Sequence, residues 1–335
     1  MAFLGVREIQ DRGLSNFLQS HLFMTMVRVL PWVVSYQLLR LLTAAYFLVR
    51  GQERRLIRTN IEEVFERNRR TREIDLLFRL TLKGIFDHYF EKLFLACSDN
   101  HRWKRYFLER IRLPERKLLE EALAWKKGLI LVSCHFGAVE FLPGFLTLLG
   151  YPVAIVAKFK TERLRKKSEE KAKSVRATII DANEKNSFFM AISALREERI
   201  LITQCDEVAC WKADSTRSID LFHTAFQVDR TVAILHKRSR APVLFGYVRR
   251  DNAGSYTVEI DDLSGADGFT VKNLEERVLK KFEGLVYTYP DQWYIWKDFQ
   301  CMKMPGRRQI TMEDRKRRSL YITPAPTAAY QPSHG

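Results

Sequence analysis

The longest apolar stretch covers residues 17–49 and is broken by Arg28, Pro31, Gln37 and Arg40. At a helical step of about 100° per residue, Arg28, Ser35, Arg40, Thr43 and Arg50 gather on one side, with Gln37 at its edge. Val29, Trp32, Val33, Leu39, Leu42, Tyr46 and Phe47 occupy the other. A spanning helix wants about 20 largely apolar residues. The interruptions therefore predict a helix lying in a membrane interface, arginines toward headgroups. The competing expectation is a helix whose apolar side packs on the protein's own core.

Residues 52–110 read as charged helices with aromatic anchors at Phe86, Tyr89, Phe90 and Phe94. Past Pro114 the texture changes to short aliphatic runs alternating with helical ones. Strands are expected at 128–133, 153–157, 200–203, 218–222, 242–248 and 256–260, and helices at 140–149, 161–176 and 187–196. Such alternation predicts an α/β fold with a mixed central sheet flanked by helices. Residues 306–335 carry Arg315-Lys316-Arg317-Arg318 and then mostly small and polar residues, the composition of a disordered basic tail. The expected division is a membrane-associated helical region over 1–51, a main domain over 52–305 and this tail.

Composition changes the picture in two ways. The formal charge of +16 calls for an anionic partner: nucleic acid, an acidic membrane surface or an acidic protein. The five cysteines are scattered without a CxxC pair, which disfavours a zinc site or a disulfide framework, so no metal is expected. The N-terminus lacks the form of a secretory signal. No zinc finger, RNA-recognition signature or basic-aromatic ribbon is present, and nucleic acid is set aside as a partner.

The chemistry concentrates in Cys134-His135-Phe136-Gly137-Ala138-Val139-Glu140, directly after the aliphatic run Leu129-Ile130-Leu131-Val132. On a continuous helix, residues five apart point about 140° away from each other. A His135 in a strand-to-helix turn can instead fold back toward Glu140, and Gly137 lets that turn tighten. An imidazole that removes a hydroxyl proton, a carboxylate that fixes its tautomer and amides at a helix start that hold an oxyanion make up the parts of hydroxyl acylation. The backbone of Phe136 and Gly137 is the expected oxyanion cradle. Cys134 adjoins the histidine, but alternation at a strand end points it away.

These residues and others in order along residues 14–303 give a resemblance to the bacterial lipid A biosynthesis acyltransferases, within the wider lysophospholipid-acyltransferase-like group. The matching pieces are an N-terminal apolar helix and His135-x4-Glu140 after a strand. They continue with Val153–Ala157 before a basic region, Ile200 to Asp206, and Pro290-Asp291-Gln292-Trp293-Tyr294-Ile295-Trp296. The last segment is the most specific. This chain departs from the family pattern in having Lys158 where an arginine is usual, Asp229-Arg230 for Thr-Gly, and Cys205-Asp206-Glu207 for Asp-Gln.

The resemblance implies a glycerolipid-acyltransferase-like fold, with His135 as general base and Glu140 as its partner. Asp206 is implied as a headgroup or site-organising residue, and Lys158, Arg163 and Arg176 as ligands for phosphates. No cofactor is implied: the acyl donor, acyl carrier protein or coenzyme A thioester, is a co-substrate. The acceptor would be a lipid A-type or other glycolipid or phospholipid, met on the cytoplasmic face of the inner membrane by a peripheral or monotopic protein. The basic run from Arg163 to Arg176 suits anionic headgroups or an acidic carrier protein. Trp293 and Trp296 read as packing. Two rivals stand beside this reading: an esterase or thioesterase using the same pair on water, and a non-catalytic binder of anionic lipid.

Overall fold

The computed structural model describes residues 32–65, 70–98, 100–159, 162–174, 176–207, 213–251, 254–263 and 273–304. The tail and the first part of the apolar stretch, with Arg28, Val29 and Pro31, lie outside them. Two compact units result, Met1–Glu109 and Arg110–Gly335.

The first unit is helical, with α1 over Trp32–Val49, α2 over Gly51–Phe65, α3 over Thr71–Cys97 and α4 opening at Asn100 and ending at Arg110. The apolar side of α1 is not turned outward. Leu39 packs with Phe86 and Leu93 of α3, and Tyr36, Leu42 and Tyr46 close around that cluster. Tyr36 sets its ring edge-on to Phe86 and Phe90, with centroids 5.1 and 4.8 Å away. Ser35, expected on the polar side, is buried, while Gln37 and Arg40 are exposed as expected. The aromatic surface of α3 is what buries Leu39 and partly buries Tyr36, Leu42 and Tyr46. No helix of the described residues is long and apolar enough to cross a membrane.

In the second unit a seven-stranded sheet is built from β1 (Ile111–Arg112), β2 (Leu129–Ser133), β3 (Val153–Ala157), β4 (Thr178–Asp181), β5 (Ile200–Gln204), β8 (Val243–Arg250) and β9 (Tyr256–Asp262). Their spatial order is β1-β9-β8-β2-β5-β3-β4. Strands β8, β2, β5, β3 and β4 are mutually parallel, and β9 returns antiparallel to β8 with β1 at its side. The expected mixed sheet is present and mostly parallel. Separate from it, β6 (Ala213–Leu221) and β7 (Thr224–Asp229) form an antiparallel pair.

Burial explains why β2 is aliphatic from Leu129 to Val132 rather than alternating. All five of its residues are buried, as a central parallel strand requires when helices cover both faces. The crossovers are helical: α5 (Arg116–Leu123) precedes β2, and α6 (Phe141–Leu148), α7 (Glu162–Ser174), α8 (Ser187–Arg196) and α9 (Thr231–Ser239) link the parallel strands. Pro143 is accommodated in the first turn of α6, where no intrahelical N–H is lost. The chain ends with α10 (Leu274–Thr288) and two short 3₁₀ turns, Pro290–Gln292 and Trp296–Met302. Trp293, Trp296 and Phe299 are fully buried and pack on one another there. Each buries on the order of 200 Å² and stabilises by roughly 5 kcal/mol before conformational entropy is counted.

The orientation of α1 can be checked by denaturation of the full chain. Leu39 is 1% exposed and Leu41 69%. Leu39→Ala should cost about 2–4 kcal/mol, and Leu41→Ala about 0.5 kcal/mol or less. Equal and small effects would mean that α1 does not pack inward through Leu39.

Candidate active site

Parallel strands deliver their C-terminal ends to one edge of the sheet, the edge where open α/β folds bind ligands. Four chain segments emerge there: His135 after β2, Asp206 after β5, Lys158 after β3 and Arg250 at the end of β8. Strands β2 and β5 are neighbours in a register that sets Ser133 beside Gln204. Carrying that register two residues further sets His135 beside Asp206. The Cys205 amide donates to the Ser133 carbonyl at 2.8 Å and keeps the two chains together past the last strand pair.

Asp206 collects three N–H donors. The His135 backbone amide lies 3.1 and 2.9 Å from its two oxygens, His135 Nδ1 is 2.9 Å from Oδ1, and the Trp293 indole Nε1 is 2.9 Å from Oδ2. Its side chain is fully buried, so these donors replace the water it has lost. A carboxylate only accepts, so Nδ1 carries its proton toward Asp206 and Nε2 is left with its lone pair. The His135 side chain keeps 17% of its surface open, and Glu207 Oε2 stands 3.7 Å from Nε2.

Burial favours the neutral ring, but the charge and hydrogen bond of Asp206, and then the charges of Glu207 and Glu140, outweigh it. The His135 pKa is thus raised above the ordinary histidine value. Glu140 stands at the N-cap position of α6 without a side-chain capping hydrogen bond and acts on the ring as a nearby charge. The carboxylate expected to fix the tautomer was Glu140. In the structure Asp206 meets Nδ1, because strand register brings it there, while Glu140 lies beyond a four-residue turn. The Tyr294 ring stands edge-on to His135 at 5.6 Å, and burial first, then the charge of Glu140, raises its pKa and keeps the phenol protonated.

The turn after His135 is sewn to two neighbours. Gly137 donates to the Gln292 carbonyl at 2.9 Å, Ala138 to the Val248 carbonyl at 3.0 Å and Tyr294 to the His135 carbonyl at 3.2 Å. The Gln292 side chain accepts from the Arg250 amide at 2.8 Å and donates to its carbonyl at 3.1 Å, while Arg250 Nη2 donates to the Gly137 carbonyl at 2.7 Å. Gly137 is in the left-handed region at φ +53°, and a Cβ there would overlap the Val248 carbonyl oxygen. Only glycine fits.

Two expectations are corrected by this geometry. The amides of Phe136 and Gly137 are not oxyanion donors, since the first donates to the Cys134 carbonyl at 2.7 Å and the second to Gln292. Helix α6 begins only at Phe141, so these amides sit outside its first turn. Arg176 is not a ligand of the site either. It lies just before β4, where Ala154 pairs with Thr178, and so at the opposite edge of the sheet from His135. Lys158 is at the correct edge and exposed. The backbone of Arg163 is in the first turn of α7; its side chain lies outside the described residues. Cys134 is fully buried, and burial raises its pKa well above the usual thiol value, so it is no nucleophile. Trp293, Gln292, Arg250 and Glu207 were not anticipated as site residues; the Pro290 to Trp296 segment was the available signal for the first two.

Gly137→Ala must distort either the turn or Val248. It should lower stability by about 2 kcal/mol or more, read by thermal unfolding, and should displace the His135 ring signals in NMR spectra. An alanine variant with unchanged melting and spectra would contradict the close approach to β8.

No curated protein matches the chain at a significant level. Residues 15–298, most of the chain and including every residue of the site, match the protein-family profile described as bacterial lipid A biosynthesis acyltransferase. The chain belongs to the bacterial lipid A biosynthesis acyltransferase family, and is an acyltransferase of that lipid-biosynthetic type.

Proposed function

We propose that the protein transfers a fatty acyl group from a thioester to a lipid hydroxyl with His135 as general base, and the Asp206–His135 contact carries this reading. With Nδ1–H held by Asp206, Nε2 is the ring atom left able to take a proton. The acceptor hydroxyl gives its proton to Nε2 as its oxygen attacks the thioester carbonyl carbon. The tetrahedral adduct collapses by breaking the C–S bond, and the imidazolium returns the proton to the departing sulfur. An ester and a free thiol result, with no covalent enzyme intermediate and no net proton change at the ring.

Asp206 fixes the tautomer and, with Glu140, stabilises the imidazolium that forms. Acyl carrier protein or coenzyme A supplies the thioester, and the acceptor is a lipid A-type or other glycolipid or phospholipid. Lys158, exposed after β3 at the edge of the sheet that carries His135, is our candidate for binding phosphates of donor or acceptor, with Arg163 beside it in sequence. The positive end of α7 suits an acidic carrier protein. Membrane association at the cytoplasmic face of the inner membrane is supported by Val34 and Leu41, which remain exposed on α1 beside Arg40.

The test is lipid mass spectrometry of a deletion strain carrying wild type or His135→Ala. An acylated lipid lost on deletion and restored by wild type alone is expected; restoration by His135→Ala would remove the base. In vitro, Asp206→Asn should lower kcat by about 10²-fold or more, and Glu140→Gln by less than Asp206→Asn. The base works only when neutral and its pKa is raised. The rate should therefore climb with pH on a limb above the ordinary histidine value of about 6.5, and Asp206→Asn should shift that limb to lower pH. A limb unmoved in Asp206→Asn would contradict the assignment.

A further inference from the structure

The helical unit holds a cleft of about 290 Å³ between α2 and α3, lined by Gly51, Arg54, Arg55, Arg58 and Phe78. The four residues of α2 stand at i, i+3, i+4 and i+7, so they share one side of that helix. The surface facing the cleft is almost entirely apolar. Arg58 serves the fold: it binds Glu62 at 2.8 Å and Asp75 at 2.6 Å and stands 5.9 Å over the Phe78 ring. Arg50, Arg54 and Arg55 have no carboxylate partner among the described residues. Arg50 and Arg54 are nevertheless four residues apart, where like charges on a helix repel. Such a group of cations calls for an anion from outside the chain. Gly51 keeps the cleft open. A Cβ there would meet no atom within 4 Å, and no left-handed backbone requires the glycine, although glycine weakens a helix.

Resting on the reading of the protein as membrane-associated, we infer that this cleft seats the phosphate of an anionic phospholipid, with Arg54 and Arg55 on its oxygens. Guanidinium groups match phosphate oxygens in shape and are weakly hydrated, so they bind them well. What borders the cleft favours a bilayer over a soluble phosphate. Backbone bonds of the i→i−4 kind run through the junction of α1 and α2: Arg50 donates to the Tyr46 carbonyl at 2.9 Å and Arg54 to the Arg50 carbonyl at 3.2 Å. At about 100° per residue, Val34, Leu41, Ala45 and Leu56 then fall within about 60° of one another. All four are exposed, Leu41 by 69%. Arg55, Gly51 and Arg58 come next around the same helix. An apolar stripe bordered by cations is the pattern of a helix held at headgroup level. A free phosphate would leave that stripe bare, and the apolar wall of the cleft suits the part of a lipid next to its phosphate.

The full-length protein is floated with vesicles of phosphatidylcholine alone and of equal parts phosphatidylcholine and phosphatidylglycerol, at one ionic strength. Wild type should prefer the anionic vesicles. Arg54→Gln with Arg55→Gln should lower partitioning onto them about 20-fold, at about fivefold per arginine beside an anionic surface. Gly51→Gln fills the cleft and keeps every charge, and should lower it about fivefold, the worth of one such contact. Lys237→Gln with Arg238→Gln removes the same charge from exposed positions on α9. That pair should change partitioning by less than about twofold. Excess inorganic phosphate at constant ionic strength should not release the protein. Release by phosphate overturns the proposal, because the site is then one for a free anion. Unchanged binding by Gly51→Gln, or equal losses in the two double variants, overturns it as well, leaving attraction by net charge alone. So does a wild type that floats equally with both vesicles or with neither, and the last result also removes membrane association. The acyltransferase reading is judged separately, by the lipids of the deletion strain, so the failures are distinguishable.

Discussion

A carboxylate buried at the end of a parallel strand, with three N–H groups pointed at it, is the constraint on which the site depends. Each charge-assisted hydrogen bond contributes about 1.5–3 kcal/mol, and together they make burial of Asp206 tolerable. The donors come from two distant places, the His135 turn and the Trp293 indole. Asp206 therefore ties the end of β2 to the C-terminal turn as well as orienting the imidazole. Removing it would strand three buried donors at once, so its structural and chemical roles are inseparable. Trp293 shows the same economy: its ring fills the aromatic core while its N–H orients the carboxylate that orients the base.

Competing electrostatic effects set the state of the ring. Burial alone would push the imidazole toward neutrality, whereas three carboxylates within range push the other way and prevail. The result is a stronger base than an ordinary histidine, at the cost of a larger protonated fraction near neutral pH. Placing one of the three carboxylates on Nδ1 and another before Nε2 gives the ring two unlike sides. One side is closed and structural, the other open and reactive.

Much of the fold was legible because it is local. The unbroken aliphatic run of β2, the bounds of β3 and of the helix Ser187–Arg196, and the His135 turn after a strand all follow from short-range pattern. Asp206 stands 71 residues from His135, and only the pairing of β2 with β5 decides that they meet. Sequence spacing favoured Glu140 because it is near along the chain, and register favoured Asp206 because it is near in space. Arg176 erred the other way: α7 belongs to the basic run, but thirteen residues of helix, about 20 Å, carry the chain to the far edge of the sheet. The oxyanion expectation for Phe136 and Gly137 failed because Gln292 and the turn itself take those amides, and such partners leave no local signature. On α1, Leu39 and Phe47 were read on the apolar side and are buried, but what covers Leu39 depends on α3.

The central claim is that Asp206 holds the Nδ1 proton and leaves Nε2 free. Nitrogen-15 NMR of the histidine rings, with the His135 signal assigned by its loss in His135→Ala, reads that tautomer directly at a pH where the ring is neutral. The account predicts a protonated Nδ1 and a bare Nε2. A His135 protonated at Nε2 in the folded protein would contradict it.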